Sequence, residues 1–161
     1  MKALARVEGV AEALTRVARV CVPELAEKCI VDLMLEDGSI QRIEAVHVDP
    51  SKAENMTQMK RYAPRAGHPV MDVFASGRPS LLSTVGPRQL AQMASDPTHL
   101  AVLRRFGPKS LMRLPVILRG RTAAVMTFSI ADSTRRLTTS DLHFAEQIVA
   151  RVVAALESGG A

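Results

Sequence analysis

Two β-hairpins, one in each half of the chain, constrain the fold most. The first is predicted over residues 28–48, where an apolar strand reaches an Asp-Gly turn at residues 37–38 and an alternating strand returns. Asp-Gly is a strong hairpin signal because its backbone accepts the positive φ angles of a tight turn. The second is predicted over residues 109–130, around an Arg-Gly-Arg turn at residues 119–121. Together they supply four strands of an antiparallel sheet.

An amphipathic helix is predicted at each end of the chain. Apolar residues recur at steps of three and four over residues 3–20, and again over residues 140–157. That spacing places one apolar stripe along each helix. Pro23 is expected to end the first helix, since the residue before a proline disfavours helical backbone. Residues 158–161 are predicted to form a disordered tail.

Short elements fill the region between the two hairpins. Helices are predicted over residues 51–62 and 70–76, and a short strand over residues 80–85. Two further short helices are predicted within residues 87–106, the second with a proline in its first turn. A sheet covered by helices is an α+β architecture, and residues 1–157 are predicted to form one such domain.

Composition excludes several classes of protein. The chain has 161 residues, of which 47% are hydrophobic, so a folded core is expected rather than disorder. Its net charge of +5 comes from scattered basic residues without a nucleic-acid motif, so no nucleic-acid partner is predicted. No membrane span or signal peptide is recognised, which predicts a cytoplasmic protein. The two cysteines, Cys21 and Cys29, form no metal or disulfide motif.

The second half of the chain carries a family resemblance. In order and spacing its segments are similar to the GAF domain of bacterial sensor proteins, of the kind associated with sensor kinases and phosphatases. The resemblance extends over about residues 4–157. It implies a module that senses small molecules and pairs signalling chains, and most such modules are not enzymes. The segments that carry it are Gly-Arg-Pro-Ser-Leu-Leu at 77–82, Gly-Pro-Lys-Ser-Leu-Met-Arg-Leu-Pro-Val at 107–116, Ala-Val-Met-Thr-Phe at 124–128 and Ser-Asp-Leu at 140–142.

The resemblance implies a particular α+β sheet, related to that of PAS domains. It is a central antiparallel sheet of five to six strands in the order 2-1-5-4-3. The N- and C-terminal helices are expected on one face. The short helices of residues 51–106 are expected to cover a ligand pocket on the opposite face, called here the pocket face.

One polar row is predicted on the pocket face. Side chains alternate along a strand, so Asp32, Arg113 and Thr127 can share one face of neighbouring strands. Our hypothesis is that the row binds a small anionic or zwitterionic ligand. The alternative is a structural Asp–Arg pair, or an arginine that extends to solvent. The predicted ligand-binding set comprises Asp32, Arg113, Thr127, Met112, Ser110, Met71 and Phe74.

The chain lacks the features that identify several GAF ligands. The Asn-Lys-Phe-Asp-Glu signature of cyclic-nucleotide-binding GAF domains is missing. Neither cysteine lies in the loop that attaches bilin in phytochromes, and two cysteines do not reproduce the set used by free methionine sulfoxide reductases. Ala124 stands in the last strand where many GAF domains have glycine. The histidines do not cluster at ligand spacing, so no metal, haem or bilin is predicted.

The sequence therefore predicts a non-catalytic, ligand-sensing regulatory module of bacterial signal transduction. A homodimer through helices 3–20 and 140–157 is expected, since symmetric pairs are the commonest oligomers. The other expected partners are an unidentified small ligand and a histidine kinase or phosphatase. Two alternatives stay open: an interaction module with a vestigial pocket, and a small redox enzyme that uses Cys21 or Cys29.

Overall fold

The computed structural model describes residues 2–159 of the chain. Five strands form one antiparallel sheet, and helices cover both of its faces. The elements in chain order are α1 (Lys2–Leu25), β1 (Lys28–Met34), β2 (Ile40–His47), a short 3-10 turn (Pro50–Lys52), α2 (Ala53–Met59), α3 (Val70–Ser76), β3 (Ser80–Leu82), α4 (Pro87–Met93), α5 (Pro97–Phe106), β4 (Ser110–Leu118), β5 (Arg121–Ile130) and α6 (Thr139–Gly159).

The strand order is β2-β1-β5-β4-β3, which confirms the predicted topology. Both predicted hairpins form, β1 with β2 and β4 with β5. Strand β5 pairs with β1 as well as with β4, so the two hairpins join into one sheet. The last strand therefore lies at the centre of the sheet, with both of its faces covered.

The main core lies on the face covered by α1 and α6, called here the helix face. Strand side chains of β1, β4 and β5 meet Leu14 and Ala18 of α1, and Ala145 and Val149 of α6. Burial of one large apolar side chain contributes about 1.5–3 kcal/mol, so this layer supplies most of the driving force for folding. Its fully buried strand residues include Cys29, Val31, Met112, Val116, Ala124 and Met126.

The pocket face is covered by α2 to α5 and carries three smaller apolar clusters instead of one continuous layer. One joins Ile30 to the methionines of α2, and a second surrounds Val125 and Phe74. The third lies around Leu111. Polar side chains separate these clusters, and they form the candidate site described below.

A β-bulge interrupts the first hairpin. Val31 lies opposite Glu44, but the next residue, Asp32, lies opposite Arg42, so Ile43 is the extra residue on β2. A one-residue slip reverses the side-chain alternation beyond it. Ile43 consequently packs against the core of the helix face, and Arg42 reaches the pocket face.

Some element boundaries differ from those predicted. Helix α1 continues past Pro23 to Leu25, because Val22, Leu25 and Ala26 are all buried and hold the last turn against the core. Helix α6 reaches Gly159, and the last two residues of the predicted tail lie outside the described residues. In the part of the chain that the structure describes, no helix combines the length and apolarity that a bilayer span requires.

Candidate functional site

A small cavity lies between the pocket face and the helices that cover it. Its volume is about 40 Å³, enough for roughly three water molecules at about 10–15 Å³ each on this measure. The sheet contributes the polar side chains Lys28, Arg42, Arg113, Thr127 and Ser129 to its lining. The covering segments contribute methionines and two histidines. The cavity is far smaller than a pocket for a drug-sized ligand, which typically measures about 300–1,000 Å³, and the sheet side of its lining is mainly polar.

Asp32 and Arg42 form a buried ion pair beside the cavity. The Nε of Arg42 donates to Asp32 Oδ1 at 2.8 Å, and its Nη2 donates to Oδ2 at 3.2 Å. This bidentate geometry satisfies both carboxylate oxygens of a fully buried aspartate. The bulge in β2 creates the pair, because a regular register would place Ile43 opposite Asp32.

Arg113 lies on the same face and has no such partner. It is 3% exposed, and its Nη2 donates to the Met93 thioether at 3.3 Å. Its Nε has no hydrogen-bond partner, and it forms no ion pair, within the described part of the chain. Burial lowers the pKa of Arg113 to about 10, and the Asp32 carboxylate only partly opposes that shift. The group remains a cation at neutral pH without a bound anion.

Lys28 is a second buried cation in the cavity wall. It is 4% exposed, and its Nζ donates to the Met59 thioether at 3.9 Å. Burial lowers the pKa of Lys28 to about 8, with further contributions from the charges of Arg42 and Lys52. Thioethers are weak acceptors, so Met59 compensates little of the desolvation of an ammonium group.

Two hydroxyls of β5 lie between these cations in the sheet. Thr127 pairs with Arg113 across the sheet, and Ser129 pairs with Lys28. Ser129 Oγ is buried and, like Arg113 Nε and Ser80 Oγ, has no hydrogen-bond partner among the described residues. Ser80 lies directly opposite Arg113, so all three atoms lie on the pocket face. Native proteins pair most buried polar atoms, and this concentration marks a place where a polar ligand would find partners.

Two histidines complete the polar lining. His68 Nδ1 accepts from the backbone N–H of Val70 at 3.0 Å, and His99 Nδ1 accepts from that of Ser95 at 2.9 Å. Burial lowers the pKa of both rings, that of His68 to about 3, so both are neutral at physiological pH. The proton of a neutral ring must then reside on Nε2, which leaves a donor rather than an acceptor.

Three strand residues of the predicted ligand-binding set project from the sheet to the pocket face. Arg113 and Thr127 line the cavity. Asp32 lies on the same face, but its carboxylate is engaged by Arg42. A buried Asp–Arg pair is therefore present, as the alternative interpretation held, although its arginine is Arg42 and not Arg113.

The other four members lie outside the cavity. Met71 and Phe74 belong to the apolar cluster around Val125, elsewhere on the pocket face. Met112 is part of the core of the helix face. Ser110 Oγ accepts from the backbone N–H of Leu137 at 2.9 Å, which ties the loop before α6 to β4. Ser110 and Met112 alternate with Arg113 along one strand, so they project to the opposite face.

Five polar residues of the cavity lining are missing from the predicted set. Lys28 and Ser129 could have been found, because they continue the alternation through Ile30 and Thr127 on their strands. Arg42 carries no such signal, since the bulge reverses its face. The remaining two, His68 and His99, lie in the covering segments, and nothing in their sequence surroundings distinguishes them.

The cysteines lie away from the cavity. Cys21 and Cys29 are free, buried thiols in the core of the helix face. Burial raises the pKa of both, which lowers the thiolate fraction that redox chemistry requires. Among the described residues, no group of three or more His, Cys, Asp and Glu side chains is placed to hold a metal ion.

Comparison with known proteins places this fold in a family. The GAF domain family model matches residues 7–156. The second GAF domain of DevS from Mycobacterium smegmatis superposes with a TM-score of 0.65 and 13% identity, covering 92% of this chain and 94% of that chain. The GAF domain of a phosphoenolpyruvate-protein phosphotransferase from Coxiella burnetii gives 0.62 and 13%, covering 96% and 92%. A search of curated proteins finds no significant sequence match.

A third solved structure, the GAF domain/HD domain protein from Geobacter sulfurreducens, gives a TM-score of 0.63 and 10% identity, covering 91% of each chain. Identities this low establish a common fold and nothing about the ligand. GAF domains are generally regulatory sensing modules of signalling proteins rather than catalysts. Because the family match extends over nearly the whole chain and the strand order agrees with it, the chain belongs to the GAF domain family.

Proposed function

We propose that this GAF domain is a regulatory module that binds a small anionic ligand in the cavity on its pocket face. The observation that carries the proposal is the pair of buried cations, Arg113 and Lys28, whose side-chain hydrogen bonds within the described structure go to thioethers. A buried charge without a counterion is expensive in free energy. A ligand that supplies the anion would recover part of that cost on binding.

The layered sheet offers a route from ligand to output. Arg113 lies in the cavity wall, while its neighbours Met112 and Leu114 pack in the core under α1 and α6. A ligand that contacts both the strands and the covering helices would stabilise one arrangement of α2 to α5. Through the shared strands it would also favour one position of the terminal helices. The mechanism is a population shift, which requires only that the two arrangements differ in ligand affinity.

We further propose a homodimer formed by the terminal helices. Large apolar side chains are exposed on both helices: among the residues whose side chains are described, these are Val20 of α1 at 77% and Phe144 of α6 at 53%. A symmetric dimer through these helices would bury Val20 and Phe144 of both copies. It would also couple ligand binding to a neighbouring kinase or phosphatase domain in cytoplasmic signalling. Light scattering on the Phe144→Glu variant tests this interface: a monomeric variant of a dimeric parent supports it, and a monomeric parent overturns it.

A redox enzyme is disfavoured by the positions of the cysteines. Both thiols are buried on the face opposite the cavity, and a raised pKa makes them poor nucleophiles. A vestigial pocket is disfavoured by the lining itself. A pocket that had lost its ligand would be expected to fill with apolar side chains. Among the described residues this one instead retains two cations without an ion pair and a serine hydroxyl without a hydrogen-bond partner.

The test is a thermal-shift screen of the purified protein against small anions, zwitterions, neutral polar molecules and cations. We expect anions to raise the melting temperature of the wild type, because a ligand that binds only the folded state stabilises it. The effect should be lost in Arg113→Gln and kept in Arg88→Gln, a matched variant on the exposed surface of α4. A wild type that no compound stabilises would refute the proposal.

A further inference from the structure

Three carboxylates near the cavity are already engaged by other groups. A fourth, Asp72, is exposed on α3 and forms no ion pair within the described structure, although its charge raises the pKa of Arg113. Asp32 is held by Arg42 through two hydrogen bonds. Glu27 accepts from the backbone N–H groups of residues 131–133 at 2.7–2.8 Å. Asp132 forms an ion pair with Lys52 at 2.6 Å. The cavity wall therefore carries two positive charges, on Lys28 and Arg113, that these protein carboxylates do not balance by direct contact.

The remaining polar groups of the wall add donors. The Nδ1 atoms of His68 and His99 are occupied by backbone N–H groups, so each neutral ring has only an Nε2–H left to offer. The Ser129 hydroxyl is unpartnered within the described chain and can donate as well as accept. A cation cannot accept from these donors, whereas the several lone pairs of an oxyanion can accept from more than one of them. Unlike a neutral polar ligand, an oxyanion also offsets the two positive charges.

The two cations stand on opposite sides of the central strand. Lys28 is paired with Ser129 of β5, and Arg113 is paired with Thr127, the next position on the same face. Two strand spacings and one step along the strand separate their Cα atoms by about 10–12 Å. Both side chains are long and line the same cavity, so a compact ligand lying over β5 can contact both.

On this basis, and resting on the ligand-binding role proposed above, we infer that the ligand is a compact dianion. It is a phosphate group or a short dicarboxylate that binds Arg113 and Lys28 at the same time. Two uncompensated cations match two negative charges. The cavity of about 40 Å³ has room for roughly three water molecules, which restricts the ligand to a small molecule that also displaces side chains of the lining. The hydroxyls of Thr127 and Ser129 would lie beneath the ligand and add neutral hydrogen bonds.

Met93 and Met59 occupy the positions that the dianion would take. The thioether of Met93 lies 3.3 Å from Arg113 Nη2, and that of Met59 lies 3.9 Å from Lys28 Nζ. Methionine is flexible and polarisable, so it can fill such a site and move aside. Charge-assisted hydrogen bonds to an oxyanion would replace these weak contacts. Because Met59 belongs to α2 and Met93 to α4, their displacement would also transmit the effect of ligand binding to these two helices.

The experiment is isothermal titration calorimetry at constant ionic strength. The probes are inorganic phosphate, malonate and succinate as dianions, with acetate as a monoanion and glycine as a zwitterion. We expect at least one dianion to bind more tightly than acetate and glycine. Each of Lys28→Gln and Arg113→Gln should weaken its binding by about 10-fold to 100-fold, the effect of one charged hydrogen-bond partner. Arg88→Gln removes the same charge from the surface and should leave binding unchanged.

The outcomes separate this inference from the broader proposal. If acetate or glycine binds as tightly as the dianions, the ligand class is wrong while the binding role stands. If none of the three dianions binds but the thermal-shift screen finds another ligand, the dianion inference is refuted and the proposed ligand-binding role stands. Circular dichroism and melting of each variant confirm that it is folded. Arg113→Lys provides a further check, since it keeps the charge and should retain part of the affinity.

Discussion

Arg42 and Arg113 are both buried on one face of one sheet, but their electrostatic surroundings are opposite. Arg42 makes two hydrogen bonds to a fully buried carboxylate. Arg113 makes one to a thioether and leaves its Nε unpartnered within the described structure. A buried arginine with a carboxylate partner is compatible with a stable fold, whereas a buried arginine without a counterion lowers the stability of the protein. This difference supports the proposal that Arg113 binds a ligand, whereas Arg42 stabilises the fold through its ion pair.

Breaking the Asp32–Arg42 pair should have the largest effect on stability. In Asp32→Asn the Arg42 guanidinium stays buried without its counterion, which typically costs about 3–5 kcal/mol. Urea denaturation would measure the change in the free energy of unfolding. Asp72→Asn, on the exposed first turn of α3, is the matched control and should change stability far less. Equal effects of the two variants would show that the pair does not stabilise the fold.

Replacing Arg113, which forms no ion pair within the described structure, should change the free energy of unfolding in the opposite direction. Arg113→Met replaces a desolvated guanidinium with an apolar side chain, and we expect the ligand-free protein to gain about 0.5–2 kcal/mol, as is common when a functional residue is removed. The same substitution at Arg42 should destabilise, because it leaves Asp32 buried without a partner. If Arg113→Met also destabilises, then Arg113 has a structural role and the contrast between the two arginines fails.

The burial of Lys28 should make the stability of the protein depend on pH in the alkaline range. Its pKa of about 8 in the folded protein lies below the ordinary value of 10.5, so the unfolded chain binds the proton more tightly. Between these values stability should rise with pH, by at most about 1.4 kcal/mol per pH unit. The charges of Arg42 and Lys52 add to the effect of burial, and those of Glu27 and Asp132 oppose it.

The measurement is denaturant stability of wild type and Lys28→Gln across this pH range. The difference between the two proteins isolates the contribution of Lys28 from that of other titrating groups. We expect the rise to be absent in Lys28→Gln. The same loss of charge should weaken dianion binding above the pKa of Lys28. A wild type and variant with parallel pH profiles would show that the ammonium group is solvated in the folded state.

The smallest effect is expected from the thioether that contacts Arg113. Met93→Leu conserves volume and removes the sulfur acceptor, and such exchanges usually cost less than about 1.5 kcal/mol. Thermal or urea denaturation would measure it. A loss as large as that of Asp32→Asn would mean that Met93 is a true counterpart of the Asp32 carboxylate. Arg113 would then need no ligand to complete its environment.

Much of the site follows from strand alternation, and the rest depends on irregularities. Arg113 and Thr127 were correctly placed on one face because β4 and β5 are regular at these positions. Ser110 and Met112 fall outside the cavity by the same rule, since neighbours along a strand cannot both face one cavity. Arg42 could not be found, because a single extra residue in β2 reverses its direction.

The two hairpins, the terminal helices and the polar character of the pocket face follow from the sequence alone, and the order of the strands follows from its family resemblance. These features depend on local turn chemistry and on the periodic burial of side chains, and both can be recognised from residues that are close together in the sequence. The pairing of Asp32 with Arg42 instead of Arg113 becomes visible only in the packed structure, as do the cations that form no ion pair among the described residues. Those outcomes depend on the β-bulge and on helices packed from distant parts of the chain, and contacts between distant residues leave no periodic signal in a single sequence.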